Sequence, residues 1–435
     1  MAGAAGCDQH RSSDRLASDH RRSAPAGFVR WDLSSDLFDS DGDPHQHRLP
    51  GRHPHDVTGD TDAIQEAPVR IVIAGGGTAG HVNPAVAVAD ALRGHDVSFI
   101  GTRAGAEARL VPDAGYRLEP VEVAGFDRGR PLSILPAGLR ALGAVRASRR
   151  ILKAAAPDVV LGVGGYVSLP ACLAARSRRI PIVIHEQNIV LGLANKMCRR
   201  SAEAVAVSFE ATLAEAGPKG RFTGNPVAKA FAEADLGSER ARALETYSLE
   251  DGRRTLLVFG GSQGALRIND AAAGLAALWK DRSDLQVLHI TGAAHGTSVR
   301  AAVGDDTGAL IYRQVDFVDR MVSAYAVADL ALCRGGATTV AELGVTGVPA
   351  LIVPYPYHRD RQQERHGNVL AEAGAAIVVA DADVTAGKID ELAGGLLADP
   401  DRLAAMGAAA RTMGVPDAAD RLARVVEEAA RERLR

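Results

Sequence analysis

The chain has 435 residues, 46% hydrophobic and 24% charged, with 46 Gly, 20 Pro and 4% aromatic. That length exceeds one ordinary core and predicts two domains or three, while the charged fraction excludes disorder or fibrous repeats for most of it. No run of about eighteen apolar residues is free of charge, so no bilayer-spanning helix is expected, and the scattered Cys7, Cys172, Cys198 and Cys333 lack Cys-x-x-Cys spacing, which argues against a disulfide framework or zinc site and suggests a reducing compartment.

Residues 1–67 differ from the rest. They hold six of the thirteen histidines and twelve acids against seven arginines, with no lysine. No apolar periodicity runs through them, and no h-region follows the early arginines, so a secretory signal is excluded. Asp39-x-Asp41-x-Asp43 has the spacing of a calcium loop, but Pro44 stands where that loop needs Gly. The segment is expected to be a disordered leader or the product of a start codon set too far upstream. The overall net charge of −3 then divides into −5 for the leader and +2 for residues 68–435.

From Val69 onward, short aliphatic runs alternate with Ala- and Leu-rich helical stretches. Val69–Ala74, Val97–Ile100, Val159–Val163, Ile182–Ile184 and Ala204–Val207 read as one series of buried strands. Thr255–Phe259, Gln286–Ile290, Leu330–Cys333, Ala350–Val353 and Ala376–Val379 read as a second. The pattern predicts an α/β chain of two Rossmann-like domains facing a cleft, divided near Thr223-Gly-Asn-Pro-Val227. Residues 68–228 and 229–411 would form the two halves. Residues 412–435 would hold a last helix, over Val415–Arg435 with Pro416 in its first turn, crossing back to the N-terminal domain.

Four glycine-rich turns follow predicted strands. Gly75-Gly-Gly77-Thr78-Ala79-Gly80-His81 fits G-x-G-x-x-G, so a dinucleotide enzyme must be considered. The next strand, however, ends Phe99-Ile-Gly101-Thr102 without the acid that would hold a ribose, which weakens that reading. Gly162-Val-Gly164-Gly165-Tyr166, Gly260-Gly261-Ser262-Gln263-Gly264 and Arg334-Gly335-Gly336-Ala337-Thr338-Thr339 complete the set. One such turn can serve strand-to-helix packing alone. Four predict a cleft lined with amides for a diphosphate-bearing ligand. Glu342, one turn into the last helix, could accept two hydrogen bonds from a ribose diol or be a solvated helix residue. Gln362 and Gln363 could read sugar hydroxyls or merely start a helix. His185-Glu186-Gln187-Asn188 ends a buried strand, where unpartnered polar groups are costly, and either chemistry or structural hydrogen bonding would explain it.

Taken together these motifs, with Gly-Asn-Pro-Val and Asp360-Arg-Gln-Gln363, resemble the MurG family. Its members are UDP-N-acetylglucosamine–lipid I N-acetylglucosaminyltransferases of bacterial peptidoglycan synthesis, with the two-Rossmann (GT-B) glycosyltransferase fold. The resemblance runs from about Val69 to the C-terminal helix. It implies inverting transfer of GlcNAc to the C4 hydroxyl of MurNAc in undecaprenyl-diphospho-MurNAc-pentapeptide. Under it, Ser262, Gly335, Gly336, Ala337, Thr338, Thr339, Val340 and Glu342 would hold the donor's uracil, pyrophosphate and ribose. Val318 would lie by the uracil, and Gln362 and Gln363 by the sugar. Thr78, Ala79, Gly80 and Asn188 would complete the site from the acceptor side, with Tyr166 lining the acceptor pocket. His81 is the candidate general base and Glu186 the second candidate. No tightly bound cofactor is implied. Helix N-termini rather than a metal would stabilise departing UDP, and Asp381-Ala-Asp383 only imitates a metal triplet. Two positions depart from the family pattern: Ala228-Lys229 stands where Arg is usual, and His366 where Asn is usual.

Between Asp127 and Asp158 lie seven cations (Arg128, Arg130, Arg140, Arg146, Arg149, Arg150, Lys153) and no acid, interleaved with aliphatic residues. Such a segment suits an anionic membrane surface or a helix with a solvated basic face. No aromatic platform accompanies it, so nucleic-acid binding is not expected. The implied setting is peripheral, on the cytoplasmic side of the cell membrane, among proteins of cell-wall synthesis and division. A UDP-sugar transferase for another lipid, a UDP-N-acetylglucosamine 2-epimerase and a non-catalytic nucleotide-sugar-binding scaffold are the rival readings.

Overall fold

The computed structural model describes residues 67–122, 134–261, 265–357 and 360–434. The leader, Arg128, Arg130 and Ser262 lie outside the described residues. The first half runs β1 (Arg70–Ala74), α1 (Ala79–Ala91), β2 (Asp96–Gly101), α2 (Glu107–Asp113), β3 (Arg117–Pro120), α3 (Ile134–Ala155) and β4 (Val159–Gly162). It continues with α4 (Gly165–Ser177), β5 (Ile182–Glu186), α5 (Leu193–Cys198), β6 (Ala204–Val207), α6 (Leu213–Ala216) and β7 (Gly220–Phe222). The second half runs α7 (Lys229–Glu233), α8 (Leu236–Thr246), β8 (Arg254–Phe259), α9 (Leu266–Leu278), β9 (Leu285–Ile290), α10 (Gly296–Val303), β10 (Ile311–Val315) and α11 (Met321–Val327). Then come β11 (Leu330–Cys333), α12 (Ala337–Thr346), β12 (Ala350–Ile352), α13 (Gln362–Glu372) and β13 (Ala376–Val378). Four helices close the chain: α14 (Ala386–Ile389), α15 (Gly395–Leu397), α16 (Pro400–Thr412) and α17 (Ala418–Leu434).

The strands form two sheets, ordered β3-β2-β1-β4-β5-β6-β7 and β10-β9-β8-β11-β12-β13. Every pairing between these strands is parallel. The two-period of a strand explains why each sheet has two covered faces. In β1, Ile71 and Ile73 enter one core and Val72 and Ala74 the other. In β8, Leu256 and Val258 face one layer and Leu257 and Phe259 the opposite one. Both orders reverse at their first strand, and that reversal opens a crevice at the carboxyl ends.

Three strands, β3, β7 and β10, go beyond the expected series. All sit at sheet edges, where one-sided burial tolerates Arg117, Glu119, Arg221 and Arg313 and no continuous apolar run forms. The last helix begins at Ala418 rather than Val415, so Pro416 lies in the turn before it. The helix does cross back. Leu422, Ala423, Val426, Ala429 and Ala430 form an apolar stripe buried in the core of the N-terminal sheet. Polar ties reinforce the docking: His95 Nε2 meets Glu427 Oε1 at 3.1 Å, and the Arg433 guanidinium donates to the Pro157 carbonyl at 2.9 Å. At the two chain crossings, Gly224 (φ +78°) lies against Val415, where a Cβ would clash.

Truncating the fully buried Leu422 should cost about 2–5 kcal/mol. Urea denaturation of Leu422→Ala should show the lower midpoint, with the far-UV signal of the native state retained.

Candidate active site

The site is built from loops at the carboxyl ends of both sheets. After β1, the chain turns through Gly75 to Thr78 into α1. The turn is held from within by Glu107, at the start of α2, whose side chain is buried. One carboxylate oxygen accepts the Gly77 amide at 2.8 Å; the other accepts the Thr102 amide at 2.8 Å and the Thr102 hydroxyl at 2.7 Å. Burial alone would raise its pKa, but the Thr102 hydroxyl and these amides outweigh it and hold the carboxyl below its ordinary value. A Cβ at Gly76 would run into this carboxylate. An acid does stand beyond the end of β2, then, but loop amides consume it. Sequence reading missed Glu107 because it sits five residues past the place where a ribose-binding acid was sought.

His81 occupies the first turn of α1, half-buried. Its Nδ1 lies 3.1 Å from the Thr78 hydroxyl. Burial lowers its pKa, with Glu186 and Glu107 pulling the other way, so the ring is neutral at neutral pH. In the tautomer that donates Nδ1–H to Thr78, Nε2 keeps its lone pair. That edge of the ring faces Gly164, whose φ of +90° and lack of a side chain leave the space open.

The four polar residues after β5's aliphatic run are a scaffold. Glu186 is buried and accepts four hydrogen bonds: from the Asn188 amide and side chain (both 3.0 Å), the Gly192 amide (2.7 Å) and Asn195 Nδ2 (2.9 Å). His185 is buried beside Ser208, its Nε2 3.2 Å from that hydroxyl, and burial lowers its pKa to about 4. Gln187 Nε2 reaches the carbonyls of His81 and Val163 at 3.5 Å. The first turn of α1, which bears His81, is therefore tied to the segments that follow β4 and β5. Asn195 and Ser208 were not singled out from sequence, since neither belongs to a local motif.

Across the cleft, Arg334 follows the end of β11 and α12 begins after Gly336. Arg334 is anchored by Asp381 at 2.6 Å and by the carbonyls of Val353 and Pro354, each 3.1 Å away. Asp381 also meets Arg267 at 3.2 Å, so the Asp381–Asp383 segment serves an ion-pair network behind the glycine turn. The amides of Ala337, Thr338 and Thr339 open the helix, where backbone N–H groups lack intrahelical partners. Thr338 reaches the first half: its hydroxyl is 3.4 Å from the Gly80 carbonyl. Val340 is buried behind it. Glu342, partly buried, accepts from the Tyr325 hydroxyl at 3.0 Å. Burial pushes its pKa up to about 7 despite that bond.

The remaining expected residues divide. Gln362 Nε2 lies 3.5 Å from the Val190 carbonyl across the cleft, and its Oε1 is buried without a partner. Gln363 accepts the Tyr355 amide at 2.9 Å. Tyr166 is 62% exposed, and Val318 sits in the core of the second half beside the exposed Phe317. Lys229 turns to Glu233 on its own helix at 3.3 Å.

Two Rossmann-like halves that present glycine turns and a helix N-terminus to one cleft have the two-domain glycosyltransferase fold. Family models agree: the Glycosyltransferase family 28 N-terminal domain matches residues 71–207 and the Glycosyltransferase family 28 C-terminal domain residues 255–422. A UDP-N-acetylglucosamine–N-acetylmuramyl-(pentapeptide) pyrophosphoryl-undecaprenol N-acetylglucosamine transferase of a Nocardioides species is 43% identical over 83% of this chain and 98% of its own length. The transferase of that name from Halothermothrix orenii is 36% identical over 83% of this chain and 100% of its own. Crystalline MurG of Acinetobacter baumannii superposes with a TM-score of 0.67 at 29% identity, covering 83% of this chain and 100% of that one. A UDP-GlcNAc 2-epimerase from Neisseria meningitidis, at 15% identity and a TM-score of 0.59, shares the fold alone; the match covers 83% of this chain and 99% of the epimerase. The chain belongs to the MurG family of glycosyltransferases.

Glu107→Ala would strand the Gly77 and Thr102 amides, at about 1–3 kcal/mol. The expected outcome is a lower denaturation midpoint, with the largest gain in amide hydrogen exchange over residues 75–81.

Proposed function

We propose that this chain transfers N-acetylglucosamine from UDP-N-acetylglucosamine to the C4 hydroxyl of MurNAc in undecaprenyl-diphospho-MurNAc-pentapeptide, lipid I. The product is lipid II, used for peptidoglycan synthesis. The observation that carries this reading is the match along nearly the whole length of relatives that bear this activity in their names. The geometry supplies a mechanism. His81 Nε2 takes the proton of the acceptor hydroxyl as its oxygen attacks the sugar C1 from the face opposite the phosphate. The C1–O bond to UDP breaks with inversion, and the N-terminal amides of α12 stabilise the charge on the departing diphosphate. Glu186, with four donors filling its two oxygens, is a positioning residue for the loop at residues 186–195 and leaves the base role to His81. The Thr338–Gly80 contact supports this assignment, because it brings the helix N-terminus assigned to the diphosphate next to the residue before His81. Glu342 is assigned to the ribose diol, Gln362 and Gln363 to the sugar, and Asn188 to the acceptor side. No resident cofactor is assigned.

The acceptor's lipid calls for a docking surface, and we assign it to the first half. Arg146, Arg149, Arg150 and Lys153 are exposed along α3. On the adjoining α4 and α5, Leu173, Leu193 and Met197 are exposed as well, the last two by 60% and 54%. Exposed cations and exposed apolar side chains on neighbouring helices suit the anionic cytoplasmic face of the cell membrane, and no described helix is long and apolar enough to cross it. Proteins of cell-wall synthesis and division would meet the enzyme there.

Purified protein with labelled donor and a short-chain lipid I analogue should form the disaccharide product. Conversion of the free nucleotide sugar without acceptor, or transfer only to another lipid, would replace this reading. His81→Ala should lower kcat by about 10²–10⁴-fold with little change in donor KM. Ribose hydroxyls favour ionised Glu342, so UDP affinity should weaken as pH falls through about 7, and Glu342→Gln should bind weakly with a flat pH profile. Reversing Arg146, Arg149 and Arg150 to Glu should cut binding to anionic vesicles by at least about tenfold.

A further inference from the structure

We infer that His366 is a positioning residue that clasps the two halves of the molecule together, and that it does so only with its ring neutral and protonated on Nδ1. The side chain projects from the first turns of α13 and is 1% exposed. Three of its contacts, each with a different segment, define its place. Nε2 accepts the backbone N–H of Ile189, in the loop after β5, at 3.2 Å. Nδ1 lies 3.0 Å from the Gly335 carbonyl, in the turn before α12. The ring stacks on Phe209, which follows β6, with centroids 5.0 Å apart and planes 3° from parallel. Ile189 and Phe209 belong to the first half, Gly335 to the second. One imidazole thus joins the turn assigned to the donor to the loop that Glu186 holds.

The partners dictate the tautomer. A backbone amide can only donate, so Nε2 must be bare; a carbonyl can only accept, so Nδ1 must carry the proton. A second proton would set an N–H against the N–H of Ile189. Closure therefore selects the neutral ring, and the closed form is lost as pH falls. Two further cross-cleft bonds, Thr338 to Gly80 at 3.4 Å and Gln362 to Val190 at 3.5 Å, are longer and do not titrate. Several described ionisable groups on the surrounding elements have partners of their own. Glu186 is held by its four donors, Arg334 by Asp381, Glu364 by Arg361, Glu215 by Lys196 and His185 by Ser208. Glu210, beside Phe209, and Arg365, on α13, face solvent.

The test measures opening, not turnover, so it can fail without touching the transferase assignment. A fluorescent pair, one dye in each half of the full chain, reports the ratio of closed to open protein without acceptor at pH 8.0 and 5.5. With an open-state ring of ordinary histidine pKa, the wild-type ratio should fall about tenfold between these values. His366→Gln offers one acceptor and one donor but no titration, so it should remain closed at both. His366→Phe keeps the stack and loses both hydrogen bonds, so it should be more open than wild type at pH 8.0 by about tenfold. Circular dichroism checks that each variant is folded. Retention of the wild-type pH response by His366→Gln, or wild-type closure of His366→Phe at pH 8.0, would overturn the proposal. Changes common to all three proteins belong to His81 or Glu342 and are subtracted by the comparison.

Discussion

Because every strand in both sheets runs parallel to its neighbours, each sheet delivers its strand-to-helix loops to one edge, at the carboxyl ends. The helices that follow point their N-termini to that same edge. A parallel sheet must be covered on both faces, which commits the helices to packing and leaves only the loops for chemistry. In this chain those loops carry glycine where backbones approach each other, as where Gly165 presses on the Gly76 carbonyl. The cleft is the meeting of two such edges, and residues more than two hundred positions apart become neighbours there.

Buried carboxylates do much of the positioning, and their surroundings separate their roles. Glu107 and Glu186 are ringed by donors and shape loops through those hydrogen bonds. Glu342 has one donor and a raised pKa, so part of its hydrogen-bonding capacity is open. His81 is kept neutral by burial against the pull of two acids. A buried carboxylate is a scaffold where its lone pairs are filled and stays open to further donors where they are not. Buried polar groups need partners, and the partners decide which groups remain available.

The C-terminal helix makes the second half answerable to the first. After α16 the chain crosses beside Gly224 and lays the stripe from Leu422 to Ala430 into the core of the N-terminal sheet. The halves are thus joined at two adjacent crossings and, across the cleft, by polar contacts of a few side chains. Covalent continuity on one side and titratable or weak contacts on the other suit a cleft that must admit a nucleotide sugar and release a diphosphate.

Much of this was legible in the residues alone. Aliphatic runs in chain order announced the central strands, because strands buried on both faces need little but Val, Ile and Leu. Glycine turns after them marked the cleft, because close backbone approach excludes a side chain. The polar edge strands β3, β7 and β10 left no such run, for half-buried positions accept many residue types. What only the tertiary structure decided was which polar groups find each other. Glu107 turning to Gly77, Asn195 to Glu186 and His366 reaching both Ile189 and Gly335 are pairings across 9 to 177 positions. No local pattern encodes them. They follow from strand order and domain closure, which bring together side chains whose sequence neighbourhoods share nothing.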